Sequence, residues 1–269
     1  MSVEARRRLR GELSAFGPFV AIETHAPGDE PQPPWLSIAE LIDDPALLDA
    51  RVEAVGLALA QRRTPPPPAQ ARAHVSPRVA ASVTHLGIVA RLLSPVLVAR
   101  AIAATRAHGA LEHGTIDLNP RRIWWQNTLG GAVPLSYPVS LHGPALTRDA
   151  TDAMDVTAAT ALVTPAVEAL TEVMAGRYRL GSTVAWGNVG SAANGAVTSV
   201  RFARPELEAA ARAVADRTLA DPRIDGGRTR SGPRYRRRSC CLIYQVAGTR
   251  EAVCGDCVLQ PGTNPRSGT

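Results

Sequence analysis

The stretch RRRSCCLIYQVAGTREAVCGDCVL, residues 236–259, contains all four cysteines of the 269-residue chain. Cys240 and Cys241 are neighbours, and Cys254 and Cys257 follow after a spacer of twelve residues as a C-x-x-C motif. Adjacent cysteines bridge each other only with severe strain, so disulfides would have to join one pair to the other. Four thiols this close together predict such disulfides, a zinc ion or an iron–sulfur cluster.

The spacing ranks these three candidates without deciding among them. Structural zinc sites typically use two C-x-x-C-like turns, whereas adjacent side chains on an extended chain point to opposite faces. A two-iron cluster tolerates adjacent cysteines better, because its ligands divide between two metal atoms. Clustered thiols in a cytoplasmic protein bind metal more often than they form disulfides. The pattern therefore favours an iron–sulfur cluster, then zinc, then disulfides.

Composition excludes several classes of enzyme. All 30 basic residues are arginine, so the chain has no lysine for a Walker A loop, a kinase-type phosphate site or a Schiff base. No G-x-S-x-G motif, histidine pair at metal-binding spacing or dinucleotide-binding glycine motif occurs, so no hydrolase, nicotinamide or flavin site is supported. The net charge of +6 suits an acidic partner. Nucleic acid is not expected, because the arginines are not interleaved with stacking aromatics.

The most apolar stretch is too interrupted to predict a membrane span. Residues 86–104 contain Arg91, Pro95 and Arg100, whereas a spanning helix needs about 20 predominantly apolar residues. We therefore expect no transmembrane segment and a cytoplasmic location, either free or peripheral at the inner membrane.

The fold class is predicted to be α+β. Ser37 and Glu40 form a capping-box pattern at the start of a short helix. Alternation and aromatic residues predict strands within 114–127 and 132–140. Helical patterns cover 46–62, 77–106 (one or two helices, divided near Pro95), 148–176, 182–202 and 204–220.

We expect a predominantly helical body with a small central sheet, followed by a cysteine-rich strand–turn–loop tail. The predicted division is a helical/mixed recognition body at 1–220, a basic linker at 221–238 and a metal-binding segment at 239–269. The linker is rich in glycine and proline, and residues 223–238 contain seven arginines and one acid, Asp225.

The cysteine segment also resembles a known family. CCLIYQVAGTREAVCGDCVL, residues 240–259, resembles the C-terminal signature of the FhuF-like ferric-siderophore reductases, in which C-C is followed by C-G-D-C. The spacer here is slightly longer than is usual for the family. VAWGNVGSA (184–192) and RLLSPVLVA (91–99) resemble two further, less specific family segments.

The resemblance implies a [2Fe–2S] cluster bound by Cys240, Cys241, Cys254 and Cys257. It also implies an oxidoreductase that reduces Fe(III) in an imported ferric siderophore and releases Fe(II) in the cytoplasm. Because no nucleotide site is supported, the electrons are expected from a reduced ferredoxin or a flavoreductase. The alternatives are a zinc-stapled binding protein and an iron–sulfur redox sensor or electron carrier without a siderophore substrate.

Other candidate residues have both a structural and a functional interpretation. Trp186 and Asn188 form either a core anchor with a turn or part of the siderophore pocket. Trp124 and Trp125 should face opposite sides of a strand, so at most one is expected in the core, and Trp125 is a candidate substrate contact. The arginine run is either a solvated linker or a docking surface for the donor or an anionic siderophore, formed by Arg236, Arg237 and Arg238.

Overall fold

The structure, a computed structural model, describes residues 3–61, 75–105, 115–140, 163–247 and 253–260. Three sequence features lie wholly or partly outside the described residues: the polyproline run Pro65–Pro68, the first half of the helix predicted at 148–176, and most of residues 247–251, which are the turn of the predicted strand–turn–loop tail. The described residues form an α+β fold in which helices predominate, which confirms the predicted class.

Eight α-helices occur in the described residues. They are α1 (Val3–Ser14), α2 (Ile38–Asp43), α3 (Pro45–Gln61), α4 (Pro77–Ala104), α5 (Pro165–Arg177), α6 (Ser182–Ala203), α7 (Glu208–Leu219) and α8 (Tyr244–Ala247). Helix α4 is central: it packs most extensively on α6 and also contacts α3, α5 and α7. The hydrophobic core lies mainly between these helices and extends to one side of the sheet.

Helix α4 runs through Pro95 without dividing, although one or two helices were predicted here. An interior proline costs about 3 kcal/mol because it removes a backbone hydrogen bond. Leu92, Leu93, Val96 and Leu97 around it are all buried. Burial of these side chains against neighbouring helices offsets the local cost.

By length and composition alone, α4 is the one helix in the described residues that could cross a membrane. Of its most apolar window, 72% is buried inside the protein. It also carries a buried arginine, Arg91, whose guanidinium donates to the carbonyls of Val133 and Ala21. These contacts are those of a core helix, so α4 is weak evidence for a membrane segment.

The sheet is small and mixed. It contains β1 (Glu23–His25), β2 (Trp35–Ser37), β3 (Thr115–Ile116), β4 (Trp124–Gln126) and β5 (Leu135–Ser140). Strand β5 pairs in parallel with β1 and antiparallel with β4 and β3, and β4 pairs antiparallel with β2. The predicted capping box follows β2: Ser37 accepts from the Glu40 amide, and the Glu40 carboxylate accepts from the Ser37 amide.

Both tryptophans of β4 are buried, so the expectation that at most one would lie in the core is wrong. Trp125 is fully enclosed and its indole Nε1 donates to the Ser37 carbonyl. Trp124, on the other side, stacks on the imidazole of His25 with ring centroids 3.5 Å apart. Parallel stacking on His25 covers the face that a half-buried sheet would expose.

The basic stretch at 221–238 follows the surface of α6 and α7. Ile224 and Tyr235 are buried in the hydrophobic core. The Gly232 amide donates to Asn194 of α6 at 2.7 Å, and Ser231 donates to Asp216 of α7 through its amide and its hydroxyl. This stretch therefore holds the following cysteine segment close to α6.

The segment after the cysteine pair differs from its prediction. Residues 244–247 form the short helix α8, whereas the strand of the predicted tail was expected at residues 242–246. The C-x-x-C motif is a tight turn, as expected, closed by a hydrogen bond from the Cys257 amide to the Cys254 carbonyl at 3.0 Å.

Candidate metal centre

The four cysteine sulfurs form two close pairs. The Sγ atoms of Cys241 and Cys254 are 3.6 Å apart, and those of Cys240 and Cys257 are 3.8 Å apart. All four are free thiols. Each pair thus takes one cysteine from the adjacent C-C and one from the C-x-x-C turn.

Each pair also combines a buried and a partly exposed residue. Cys241 and Cys257 are buried, whereas Cys240 and Cys254 are partly accessible. Backbone amides support one pair: Leu242 N–H donates to Cys240 Sγ and Leu259 N–H donates to Cys257 Sγ, both at 3.3 Å. Such donors stabilise negative charge on sulfur.

The thiols have unequal acidity. The hydrogen bond between Cys241 and Cys254 lowers the pKa of Cys241 to about 6 and raises that of Cys254. Burial raises the pKa of Cys240 to about 11. The positive charge of Arg237 acts in the lowering direction on both Cys241 and Cys254. Of these three thiols, Cys241 is therefore the one most readily ionised at neutral pH.

The paired arrangement fits two metal atoms better than one. Tetrahedral metal–sulfur bonds of about 2.3 Å place two sulfurs on the same metal about 3.8 Å apart. Each pair has this separation. In the described part of the chain, no three histidine, cysteine, aspartate or glutamate side chains gather to hold a single ion. Four thiols in two pairs are the donor set that a [2Fe–2S] cluster uses.

A buried arginine joins the cysteine segment to the helical body. Arg237 is 1% exposed, and its Nη1 donates to Asn188 Oδ1 at 2.8 Å. Its Nη2 donates to the Val184 carbonyl and to Ser239 Oγ. The Arg237 amide donates to the carbonyl of Asp256 inside the C-x-x-C turn at 3.0 Å. One residue thus contacts α6, the approach to Cys240 and the turn that carries Cys254 and Cys257.

Helices α4 and α6 complete this connection. Asn188 Nδ2 donates to the backbone carbonyl and the hydroxyl of Ser82 in α4. The Ser82 hydroxyl in turn donates to the Cys241 carbonyl at 2.8 Å. Further along α6, Asn194 Nδ2 donates to the Asp256 carboxylate, and its Oδ1 accepts from Gly232. The two cysteine motifs are therefore anchored to the body at separate points.

The three predicted substrate residues all lie inside the protein. Asn188 is fully buried and bonded to Arg237 and Ser82, and Trp186 is 5% exposed with the guanidinium of Arg223 lying over its ring. Trp125 is fully buried in β4, where it contacts Ser37. Trp186 and Asn188 belong to a helix, not to a turn. Their assignment to the substrate stays a prediction, and direct contact would require the core to open.

The predicted docking arginines divide into two kinds. Arg236 and Arg238 are exposed, whereas Arg237 is enclosed by the contacts described above. Val258 and Leu259, next to Cys257, are 46% and 40% exposed. The surface around the cysteines therefore combines exposed apolar side chains with exposed positive charge.

A cavity of about 490 Å³ lies elsewhere, between α3, α4 and residues 129–133. Arg51 lines it and is held by hydrogen bonds to Asn127 Oδ1 and the Thr128 carbonyl. None of the predicted substrate residues lines this cavity.

Sequence reasoning missed Ser82, Ser191 and Asn194 as supports of the site. A signal for two of them was present, because Gly187, Ser191 and Asn194 recur at the i, i+4, i+7 spacing of one helix face. That face of α6 receives Arg237, Gly232 and Asp256. Small and polar residues on a buried helix face thus marked where the tail docks.

Comparison with known proteins agrees with this geometry. Residues 237–259 match the family model described as the FhuF 2Fe-2S C-terminal domain, and the matched segment begins at Arg237 and includes all four cysteines. No curated protein and no solved structure gave a significant match. The match covers the cysteine segment and supports both the expected membership of the FhuF-like family and a [2Fe–2S] cluster as the cofactor of this segment.

Proposed function

We propose that this protein is a cytoplasmic ferric-siderophore reductase, with Cys240, Cys241, Cys254 and Cys257 as the ligands of its cluster. The observation that carries the proposal is the division of the four thiols into two pairs at 3.6 and 3.8 Å within the segment matched by the family model. In this assignment Cys241 and Cys254 serve one iron, and Cys240 and Cys257 serve the other. A bound [2Fe–2S] cluster supplies one-electron transfer.

The exposed surface near the cysteines suits a protein electron donor. Val258 and Leu259 offer apolar contact area beside Cys257, and Arg236 and Arg238 add positive charge. An acidic ferredoxin or flavoreductase would be attracted to this surface. The partly accessible Cys240 and Cys254 would bring the redox centre close to such a donor.

The substrate chemistry follows from the preferences of iron. Hydroxamate and catecholate oxygens are hard ligands that hold Fe(III) strongly and Fe(II) much less. One electron from the donor converts one Fe(III) to Fe(II), so the complex loosens and the iron can leave. The exposed arginines near the cysteines, Arg236 and Arg238, would also attract an anionic ferric siderophore.

The first experiment tests the cofactor and its ligands. Anaerobically purified protein is expected to contain two irons and two acid-labile sulfides per chain, as a [2Fe–2S] cluster requires. Substitution of any one of the four cysteines by alanine is expected to lower both contents. Colourless protein with one zinc and no sulfide would overturn the proposal in favour of a zinc-stapled binding protein.

The second experiment tests the substrate. Dithionite-reduced protein, freed of excess reductant, is mixed anaerobically with a ferric siderophore while the visible spectrum is followed. Reoxidation together with Fe(II) release is expected. The gallium complex of the same siderophore is the matched control, since Ga(III) resists reduction. A cluster that stays reduced with both complexes would leave a sensor or an electron carrier as the function.

A further inference from the structure

Arg237 carries a buried positive charge whose side-chain hydrogen bonds all go to neutral acceptors. Its guanidinium donates to Asn188 Oδ1, Ser191 Oγ, Ser239 Oγ and the Val184 carbonyl. Its Nε is buried without a hydrogen-bond partner. A charge taken out of water is costly unless an opposite charge compensates it.

No carboxylate forms an ion pair with Arg237 at 4.0 Å or less within the part of the chain that the structure describes, and the Asp256 carboxylate attracts it only from a longer distance. Every ion pair found there at 4.0 Å or less involves other arginines. The contact with Asp256 is made by backbone atoms, and the Asp256 carboxylate accepts from Asn194 instead. The charge of Arg237 is therefore only partly compensated by Asp256, and it also acts on the thiols of Cys241 and Cys254.

The backbone geometry holds Arg237 close to both cysteine motifs. Arg237 lies three residues before Cys240, and its amide is bonded to the turn between Cys254 and Cys257. The Ser239 hydroxyl, which accepts from Arg237, donates to the Thr183 carbonyl at the start of α6. The arginine is thus fixed on both sides and cannot turn to solvent without breaking these contacts.

We propose that Arg237 is a positioning residue whose buried cation raises the reduction potential of the metal centre. Reduction adds one negative charge to the four-thiolate site, and a nearby cation in a low-dielectric interior stabilises that added charge. The two exposed neighbours are screened by water and salt and act weakly. The inference rests on the cysteine ligands but not on the siderophore, so it holds whichever substrate accepts the electron.

The test compares midpoint potentials in dye-equilibrated anaerobic titrations of loaded protein. Arg237→Gln is expected to shift the midpoint potential to more negative values. Arg237→Lys, which keeps the positive charge, is expected to shift it less. Arg234→Gln is the matched control, because it removes the same charge from an exposed residue in the same stretch. Its shift is expected to be smaller than that of Arg237→Gln.

A second variant keeps the arginine and neutralises its charge. Asn188→Asp retains an oxygen for Arg237 Nη1 but makes it a carboxylate, so the midpoint is again expected to become more negative. If Arg237→Gln loses iron and sulfide, Asn188→Asp still tests whether the charge of Arg237 raises the midpoint potential. The proposal is overturned if the midpoint potential of either loaded variant shifts no more than that of Arg234→Gln. A purely structural arginine would alter the cluster content and leave the potential unchanged.

Discussion

His85 lies in α4 with both ring nitrogens in fixed roles. Its Nδ1 accepts from Asn188 Nδ2 at 3.3 Å. The Thr171 hydroxyl donates to the Val167 carbonyl, so at the 3.0 Å contact with His85 it accepts from Nε2–H. The ring is therefore neutral, as expected for a satisfied core histidine. A second proton on Nδ1 would face the amide hydrogens of Asn188.

This arrangement predicts loss of stability in acid. Burial, aided by the charge of Arg237, lowers the pKa of His85 to about 3. In the unfolded chain a histidine binds a proton below a pKa of about 6.5. Between these values the unfolded state binds more protons, so the free energy of unfolding falls as the pH falls, by up to about 1.4 kcal/mol per pH unit for this group.

Urea unfolding at pH 7, 6, 5 and 4, with iron content measured at each pH, checks this expectation. His85→Gln is expected to be less stable than the parent protein at pH 7 but to lose less stability on acidification. Burial also lowers the pKa of His25, to about 4, so His25→Gln should flatten the same curve above pH 4. An unchanged slope in His85→Gln would show that this histidine does not control acid stability.

At the scale of elements, α6 approaches the tail so closely that only glycine fits at two of its positions. A Cβ at Gly187 would lie 2.5 Å from Ser239 Oγ and 2.8 Å from Arg237 Nη2. A Cβ at Gly190 would lie 2.5 Å from the Tyr235 hydroxyl. The W-G-N segment thus provides a docking groove for residues 235–239, with Gly187 making room and Asn188 accepting from the arginine.

Gly187→Ala is expected to destabilise the protein by about 1–3 kcal/mol, the usual cost of overpacking a tight core. It should also lower iron content, because the displaced side chains hold the cysteine segment. Gly195→Ala is the matched control on the same helix, where an added Cβ meets nothing within 4 Å. Alanine favours the helix by up to about 1 kcal/mol there. Equal melting temperatures and iron contents in the two variants would contradict this account.

The elements that could be predicted from the sequence are those determined by interactions between residues close together in the chain. The Ser37–Glu40 capping box spans four residues, and the helical pattern at 182–202 lies within α6 itself, so both helices were predicted correctly. The segment around 244–247 contains β-branched and aromatic residues, which favour a strand. Residues 244–247 are nevertheless helical, so this local propensity did not decide their conformation. Trp124 is buried by His25, which lies almost a hundred residues away.

The same reasoning applies to the site. The cysteine spacing favoured a two-iron cluster over zinc without deciding between them, because all four thiols lie within eighteen residues of sequence and two of them are adjacent. The resemblance to the FhuF-like family decided the prediction. The burial of Arg237 could not be predicted, because its partner Asn188 is 49 residues earlier in the chain. Arg236, Arg237 and Arg238 look equivalent in sequence, and only the packing against α6 distinguishes the middle one.

At the scale of the whole molecule, the hydrophobic core and the cysteine site stabilise different parts of the protein. No cysteine belongs to the core cluster formed by the described residues, which lies mainly between α4, α6 and their neighbours. The tail is attached to that core by Tyr235 and Ile224 and by the polar contacts of Arg237 and Ser82. The helices therefore do not need the metal centre in order to bury their apolar faces.

Removal of the cluster is expected to leave the helical body folded and to loosen the tail alone. Far-UV circular dichroism of chelator-treated protein should remain close to that of the loaded protein. Hydrogen exchange should rise in peptides covering 239–260 and stay slow in α4 and α6, because only the first group loses metal ligands. A Cys254→Ala, Cys257→Ala double variant controls for chelator side effects. Where a metal site organises a fold, the free energy of metal binding contributes to folding. A large loss of helical signal in both the chelator-treated protein and the double variant would therefore show that the helical body depends on the cluster.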